Sequence, residues 1–342
     1  MSLTSHSFFL DSSFTGASVR ELPPPPWQPS IPYDLRFVYD VLTHALPLVK
    51  AEHLHFFFTK EAYFLPEYGK HVVPVLLLEE RCKVPVYSRH VLATIRNMQS
   101  RPYLGFRPRW PMGKLEAVLS FEYARDCYTH SMSRWALNRA HNTWPAEVRQ
   151  EPATIHIPLG YHSQVQVPIV PMTERRTDLF FAGDIKHPVP RTSYKHWVST
   201  SKFVAREQLW DTLITLKAKG AWNIDVGPNE TQSYSERMMS TRICVSPRGT
   251  MPETYRSFEG LRAGCLVVGN PVSRESLLYN APILIVDRWS ELESVLMKYA
   301  RSINLLEEAQ TESLAFWNQF LTPQTIAKFV AERLNVAVDT LR

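Results

Sequence analysis

The sequence predicts an α/β protein with two Rossmann-like domains, and three observations support this. The chain has 342 residues, which is enough for two domains of ordinary size. Short apolar, β-branched runs alternate with helically spaced apolar residues in both halves. Residues 242–271 read RICVSPRGTMPETYRSFEGLRAGCLVVGNP, a strand, loop, helix and strand in succession. Buried strands joined through a helix are the repeating unit of a parallel sheet.

We predict four segments in the chain. Residues 1–28 are polar and end in four consecutive prolines and a tryptophan, which favours a flexible arm. Residues 29–165 form an N-terminal α/β domain, and residues 166–320 form a C-terminal α/β domain. Residues 321–342 form a last helix.

The N-terminal domain is predicted from its alternating apolar patterns. Helices are expected at 33–49, 88–98 and, as one or two pieces, 115–139. Strands are expected at 54–58, 72–78 and 154–158. Pro74 argues mildly against a central position for the second strand, since proline cannot donate a hydrogen bond to a neighbouring strand.

The C-terminal domain is predicted to contain five strands and alternating helices. The strands lie at 178–182, 223–226, 242–247, 265–268 and 282–286. Helices lie at 203–219, 234–240, 253–263 and 292–300, followed by terminal helices at 305–321 and 322–341. Gly264 stands where the third of these helices would end.

Composition excludes several classes of protein. The chain is 44% hydrophobic and 21% charged, a globular profile, and its net charge of +5 suits anionic ligands. It contains no run of lysine and arginine, so nucleic acid is not an expected partner. Its four cysteines lack a zinc-binding spacing, and two fall in buried strands, which favours a reducing compartment.

Location follows from the absence of two signals in the sequence. No run approaches the roughly 18 apolar residues of a membrane span. The first thirty residues do not resemble a signal peptide. We therefore expect a cytoplasmic protein, with peripheral contact to a membrane as an option. The Golgi lumen is the alternative if a membrane anchor precedes this sequence.

The loop at Arg248, Gly249 and Thr250 and the helix after it predict a site for a nucleotide diphosphate. Arg248 lies ahead of a helix N-terminus, where free N–H groups and the helix dipole favour an anion. Arg256 and Glu259 are three residues apart and share one helix face. Arginine can bind phosphate oxygens through two nitrogens, and a carboxylate can accept hydrogen bonds from ribose hydroxyls. An exposed Arg–Glu pair is an equally good explanation of the spacing.

The run SPRGT–ETYRSFEGLRAGCLVVGNP resembles the C-terminal half of exostosin-type glycosyltransferases. It is more distantly similar to the nucleotide-sugar helix of two-Rossmann (GT-B) glycosyltransferases. The resemblance covers roughly residues 177–290 and is weak in the N-terminal third. It implies that the two domains face each other across a cleft, with residues 29–165 on the acceptor side and residues 166–320 binding the nucleotide sugar. It implies that the last helix returns to the N-terminal domain, and that Glu259 binds ribose. It also implies that Gly183, in the run FFAGD, and Arg191 line the diphosphate, and that the donor is UDP-linked.

An inverting transfer needs a base, and we predict Glu80 or Glu79, which follow the best N-terminal strand. An acidic pair in this position resembles that of exostosin-like N-terminal domains. We prefer Glu80 slightly. Solvated charges at the end of a strand are the alternative explanation, and four histidines are rival candidates: His53, His55, His71 and His162.

The predicted acceptor groove lies in a loop that interleaves aromatic rings with arginines. Its residues are Tyr103, Phe106, Arg107, Arg109 and Trp110. Aromatic faces can stack on sugars and arginine can bind acidic groups. Packing of these rings on the core is the alternative explanation.

We therefore predict a glycosyltransferase that moves a sugar from a nucleotide-diphosphate sugar to a hydroxyl of a glycan or glycolipid, with inversion. Single-domain (GT-A) glycosyltransferases hold a divalent ion and the diphosphate with an Asp-x-Asp pair. No such pair is present here, so no metal is expected at the donor. No other cofactor is expected. A GDP- or CMP-linked donor is one alternative. A non-catalytic glycan-binding partner in a heteromeric transferase is another, and homo- or hetero-oligomers are both compatible with the sequence.

Overall fold

The computed structural model describes residues 6–142, 153–162, 168–183, 200–227, 231–300 and 302–340. The chain divides into two compact units. Unit 1 comprises Met1–Pro102, Ala124–Leu159 and Leu321–Arg342, and unit 2 comprises Tyr103–Tyr123 and Gly160–Phe320. Within the described residues, each unit is built on one sheet, of six strands in unit 1 and five in unit 2. The prediction of two Rossmann-like α/β domains is confirmed.

The sheet of unit 1 has the strand order β2-β1-β3-β4-β5-β6. All neighbouring pairs are parallel except β1 and β2, which are antiparallel and place β2 at one edge. The strands are β1 (Ser7–Leu10), β2 (Arg20–Leu22), β3 (His55–Thr59), β4 (Val72–Leu76), β5 (Ala93–Arg96) and β6 (Ala153–His156).

The N-terminal residues that we expected to be a flexible arm contribute strands to this sheet. Phe8 and Leu10 of β1 are buried, and the Phe8 ring stacks on Phe56 of β3 with 5.4 Å between centroids. The prediction of a flexible arm is therefore wrong for β1 and β2 themselves. Burial of the alternating apolar residues of β1 stabilises the strand although the surrounding sequence is polar.

The predicted helix at 88–98 is also wrong. A short 3-10 turn occupies Val86–His90, and β5 follows it with every residue buried. The run of small and β-branched residues in β5 suits a strand enclosed on both faces. β4 lies between β3 and β5, so Pro74 is accommodated inside the sheet rather than at its edge.

Helices complete unit 1. They are the single turn α1 (Ser12–Thr15), then α2 (Arg36–Ala45) and α9 (Pro323–Asp339), and the long α3 (Lys114–Asn142) contributes its second part. α9 packs against α2, and it is anchored by Asn335 Oδ1, which accepts from the backbone N–H of Lys50 at 2.7 Å. The terminal helix thus belongs to the unit that also contains β1 to β6.

The sheet of unit 2 is entirely parallel and has the order β11-β10-β9-β7-β8. Its strands are β7 (Thr177–Ala182), β8 (Ile224–Gly227), β9 (Thr241–Ser246), β10 (Leu266–Gly269) and β11 (Ile283–Ile285). The chain places β8 on one side of β7 and then returns to add β9 on the other. This is the doubly wound order 2-1-3-4-5, whose direction reverses between β7 and β9.

The helices of unit 2 are α4 (Ser201–Ala218), α5 (Thr231–Met239), α6 (Tyr255–Arg262), α7 (Leu292–Ala300) and α8 (Ile303–Phe316). Gly260 lets α6 approach the sheet closely, since a Cβ there would lie 2.9 Å from Val267 and 3.1 Å from Cys244. Gly264 has φ +66° and ends α6, as expected. Among the described residues, no helix combines the length and apolar character needed to cross a bilayer.

Residues 103–123 differ from the predicted division, because they belong to unit 2. The first turns of α3 pack Leu115 and Leu119 against Val204 and Ala205 of α4. Nearby, Glu122 accepts a hydrogen bond of 3.0 Å from the backbone N–H at the start of α4. The predicted acceptor loop is therefore part of the same unit as the predicted donor site.

Candidate functional site

The candidate site lies where the winding direction of the unit 2 sheet reverses. At that point the loops that leave β7 and β9 run in opposite directions and leave a crevice outside the carboxyl ends of the two strands. β7 ends at Ala182 and is followed by Gly183, while β9 ends at Ser246 and is followed by residues 247–254 and then α6. Ligands of open α/β sheets bind in this crevice.

Arg256 crosses from α6 to the end of β7. Its Nη2 donates a hydrogen bond to the carbonyl oxygen of Ala182, and its guanidinium lies 4.7 Å from the ring centroid of Phe181. The side chain is buried, and within the described parts of the chain its Nε has no hydrogen-bond partner. Gly183 makes room for it: φ is +153°, and a Cβ would stand 3.0 Å from Nη2.

Arg248 is held just beyond β9 and is 3% exposed. Its backbone N–H donates to Oδ1 of Asn270 at 3.0 Å, and its Nη2 donates to the carbonyl oxygen of Thr250 at 3.2 Å. Asn270 is fixed in turn, because its Nδ2 donates to the carbonyl oxygen of Val286 at 3.1 Å. A Cβ on Gly105 would collide with Arg248 Nη1, so the guanidinium lies directly against that glycine. Gly249 and Thr250 are both half-buried in the same loop.

Glu259 is buried one turn further along α6. Its Oε1 accepts from the backbone N–H of His162 at 3.1 Å, and its Oε2 accepts from the hydroxyl of Tyr234 at 2.8 Å. Burial and the neighbouring carboxylate raise the pKa of Tyr234 well above its usual value, so that hydroxyl stays a donor. Both Arg256 and Glu259 are buried, so the alternative that they form an exposed pair on the helix surface is wrong.

Three hydroxyls join the end of β9 to the start of α6. Ser246 Oγ lies 2.7 Å from Thr254 Oγ1 and 2.8 Å from Ser257 Oγ. These contacts fix the loop that carries Arg248 against the helix that carries Arg256. The serines were not candidates from the sequence, because their role depends on the strand and the helix being adjacent.

Glu253, in the same loop, was also missed. Burial raises its pKa from 4.5 to about 7, although a hydrogen bond with Ser276 opposes the shift. Asn270 and Tyr234 are further residues that sequence reasoning did not select. A polar residue directly after the buried strand β10 was the available signal for Asn270, whereas nothing in the sequence connects Tyr234 with Glu259.

The predicted bases behave differently from each other. Glu79 is buried in unit 1, and its two carboxylate oxygens accept from the backbone N–H groups of Arg81 at 3.1 Å and Lys83 at 2.8 Å. Its carboxylate also lies 3.5 Å from buried Arg96. Burial raises the pKa of Glu79, while these hydrogen bonds and the arginine lower it. Glu79 thus holds a loop in place, and Glu80 is the more accessible carboxylate of the two.

Of the predicted acceptor-loop residues, some lie near the buried arginines and others do not. Tyr103 is close enough to Arg248 and Arg107 for their charges to lower its pKa, although burial raises the pKa overall. Arg109 instead pairs with two carboxylates, Asp287 at 2.9 Å and Glu291 at 2.7 Å. Trp110 is 91% exposed. Tyr103 therefore adjoins the arginine site, while the charge of Arg109 is already compensated within unit 2.

Arg191, the remaining predicted donor residue, lies outside the described residues. The residues that are described place two buried guanidinium groups, Arg248 and Arg256, at one end of a parallel sheet. Such an arrangement can hold an anionic group and stabilise further negative charge that develops on it.

Comparisons with known proteins give little beyond this geometry. No protein-family model matches the chain, and no curated protein matches it. Among solved structures, the "Crystal structure of GtfA/B complex" aligns with 80% of this chain at 10% identity and a TM-score of 0.40. The aligned part spans 58% of that chain.

Proposed function

We propose that this chain is a glycosyltransferase that moves a sugar from a nucleotide-diphosphate sugar to a hydroxyl of a glycan or glycolipid. The first candidate for the donor is a UDP-linked sugar, and the transfer is inverting and needs no metal at the donor. The proposal rests on the site in unit 2 together with the resemblance of residues 177–290 to exostosin-type enzymes.

The single observation that carries the proposal is the presence of Arg248, Arg256 and Gly183 at the winding reversal between β7 and β9. Phosphates bind at such crevices because backbone N–H groups and a helix N-terminus point into them. Two buried arginines add fixed positive charge to the site. A nucleotide diphosphate can neutralise that charge, whereas a neutral ligand would leave two buried cations without a counter-charge.

In this proposal the arginines take the part that a divalent ion takes in other transferases. Negative charge grows on the diphosphate as the bond to the sugar breaks. Preorganised donors in a water-poor site stabilise that charge without reorganising at the moment of reaction. Arg191 is kept as a third contributor, and Glu259 as the acceptor of a ribose hydroxyl, beside its bonds to His162 and Tyr234.

Glu80 is the proposed base. An inverting transfer needs a group that removes the proton of the acceptor hydroxyl while the sugar carbon is attacked. Glu79 is less suited, because both of its oxygens already accept backbone hydrogen bonds. Tyr103, Arg107, Arg109 and Trp110 remain proposed acceptor contacts, with Tyr103 best supported by its position near Arg248.

The commitment of Glu79 to backbone donors leaves the role of base to Glu80 alone. If Glu80 does not act as a base, the second candidate function applies: a non-catalytic, glycan-binding partner of a heteromeric transferase. A GDP- or CMP-linked donor is the alternative within the enzyme class, since the described site contains nothing that reads the nucleotide base.

A thermal-shift series with UDP, GDP, CMP and ADP, each with and without EDTA, tests the donor site. A nucleotide present at 100 times its dissociation constant stabilises the native state by about 2.7 kcal/mol. We expect one nucleotide to raise the melting temperature regardless of EDTA, and we expect Arg256→Lys to reduce that rise by half or more. The matched control is Arg242→Lys, because Arg242 is at the amino end of the same sheet, bonded to Asp178 at 2.8 Å.

Stabilisation by none of the nucleotides would overturn the donor site and the proposed function with it. Nucleotide binding that persists in Glu80→Gln while sugar transfer disappears would support catalysis through that residue. Binding without any transfer by the wild-type chain, across a range of acceptors, would favour the non-catalytic alternative.

A further inference from the structure

Two histidines and a glutamate converge at the amino end of the unit 1 sheet. His55 is the first residue of β3, and His71 immediately precedes β4. Glu67 belongs to the connection between the two strands. Its Oε2 lies 3.0 Å from His55 Nδ1, and its Oε1 lies 2.6 Å from His71 Nε2. One potential ligand atom from each residue lies within 4.8 Å of the other two.

The backbone holds this cluster in place. The N–H of His55 donates to the carbonyl oxygen of His71 at 2.8 Å, so the two residues are fixed as neighbours across the parallel pair. The rings stand nearly perpendicular, with 5.0 Å between centroids. Gly69 provides space for the second ring, because a Cβ there would lie 2.6 Å from Cε1 of His71. A larger residue at this position would push the imidazole away from Glu67.

We propose that His55, Glu67 and His71 bind a divalent transition-metal ion, with Zn²⁺ as the best fit. Two imidazole nitrogens and one carboxylate oxygen form a donor set that zinc accepts, with bonds of about 2.0–2.2 Å. Tetrahedral bonds of that length separate ligand atoms by about 3.4 Å, so the present contacts need only small side-chain rotations. The three side chains are 30%, 37% and 46% exposed, which leaves room for a water molecule as fourth ligand.

The position of the cluster indicates a structural role for the ion. Ligands that take part in chemistry bind at the carboxyl ends of parallel strands, whereas this cluster lies at the amino ends of β3 and β4. A bound ion would tie the connection at 60–71 to the start of both strands. Its effect would therefore be on the stability of unit 1, independently of the donor site that we place in unit 2.

Titration of the tag-free, chelator-treated protein with Zn²⁺ and Co²⁺ tests the proposal. We expect one ion per chain by calorimetry, a Co²⁺ absorption spectrum typical of a four-coordinate nitrogen and oxygen site, and a higher melting temperature with Zn²⁺. His71→Gln and Glu67→Gln should each weaken binding at least tenfold. His44→Ala is the matched control, since that histidine of unit 1 contacts Gln324 instead, and it should bind as wild type does.

Absence of stoichiometric binding to the wild-type chain would overturn the proposal, as would unchanged binding in both glutamine variants. If either variant fails to fold, the number of imidazole ligands obtained by X-ray absorption on the wild-type Zn²⁺ complex decides: two supports the site, and none or one overturns it. The EDTA comparison of the nucleotide series should also be repeated in His71→Gln, so that loss of this ion is not mistaken for a metal at the donor.

Discussion

Arg256 Nη2 donates to the carbonyl oxygen of Ala182, and this bond joins the first turn of α6 to the last residue of β7. A strand end and a helix start that are 74 residues apart in the chain thereby meet at one point. The guanidinium is positioned before any ligand arrives, which lowers the entropic cost of binding.

Replacement of Arg256 should mainly weaken nucleotide binding. A charge-assisted hydrogen bond contributes about 1.5–3 kcal/mol, so Arg256→Lys should raise the dissociation constant about tenfold to a hundredfold. Calorimetry with the nucleotide found in the thermal-shift series measures this. Equal affinities of Arg256→Lys and wild type would show that the bond to Ala182 has only a structural purpose.

Gly183→Ala should displace the Arg256 side chain. Its φ of +153° is open to glycine, and the added Cβ would stand 3.0 Å from Arg256 Nη2. We expect a loss of about 1–3 kcal/mol in the free energy of unfolding, together with weaker nucleotide binding. Gly220→Ala is the control: φ there is +68° and nothing lies within 4 Å of the added Cβ, so stability alone should fall. Urea denaturation and calorimetry separate the two effects, and identical profiles for the two variants would contradict this account.

Tyr234→Phe tests how Glu259 is positioned. The variant removes the hydroxyl that donates to Oε2 at 2.8 Å and leaves a buried carboxylate oxygen without that donor. An unsatisfied buried acceptor costs about 1–3 kcal/mol, so the melting temperature should fall. If Glu259 also binds ribose, a nucleoside diphosphate should lose affinity while inorganic pyrophosphate does not. Parallel losses for both ligands would argue against a ribose contact.

Glu253 should make stability depend on pH. Its pKa is raised from 4.5 to about 7 in the folded chain, so the native state holds the proton more tightly than the unfolded state. The stabilisation is complete below pH 4.5 and is lost as the pH rises through about 7. Each pKa unit corresponds to about 1.4 kcal/mol, and the effect should be smaller here because Glu253 retains some exposure to solvent.

Glu253→Gln removes the titrating carboxyl and so isolates its contribution to the pH dependence of stability. Urea denaturation at pH 5 and pH 8 should show a larger loss of stability for wild type than for the variant. Other groups titrate over the same range, so the difference between the two proteins is the measured quantity. Equal losses would mean that Glu253 titrates normally.

Replacement of Glu79 should reduce stability, whereas replacement of Glu80 should reduce sugar transfer. Glu79→Gln places an amide N–H₂ against a backbone N–H and weakens the contact with Arg96, so we expect about 2–4 kcal/mol of destabilisation. Glu80→Gln should leave the melting temperature unchanged and abolish sugar transfer. Differential scanning calorimetry and a transfer assay give the two readouts. The opposite pattern would assign the base to Glu79.

Local patterns in the sequence were enough for most of unit 2. The apolar runs of β7, β9 and β10 and the stop at Gly264 could be predicted because each depends on neighbours within about one turn or one strand. The helix predicted over β5 failed because a short apolar run fits both periodicities, and only the strands on either side settle the choice.

The candidate site was predictable in its residue types and not in its connections. Arg248, Arg256 and Glu259 stand out because charged residues follow a buried strand in a glycine- and proline-containing loop. Asn270, Tyr234 and the hydroxyl of Ser246 could not be assigned, since their partners come from other strands and helices.

The sequence by itself determined the fold class of each half and the chemical character of the loop after β9, because apolar periodicity and residue chemistry are local properties. The tertiary structure alone decided that residues 103–123 join unit 2, that Glu79 is occupied by backbone donors, and that two histidines meet Glu67. Those results depend on the strand order and on side chains brought together across long stretches of chain, and no pattern within a short window records them.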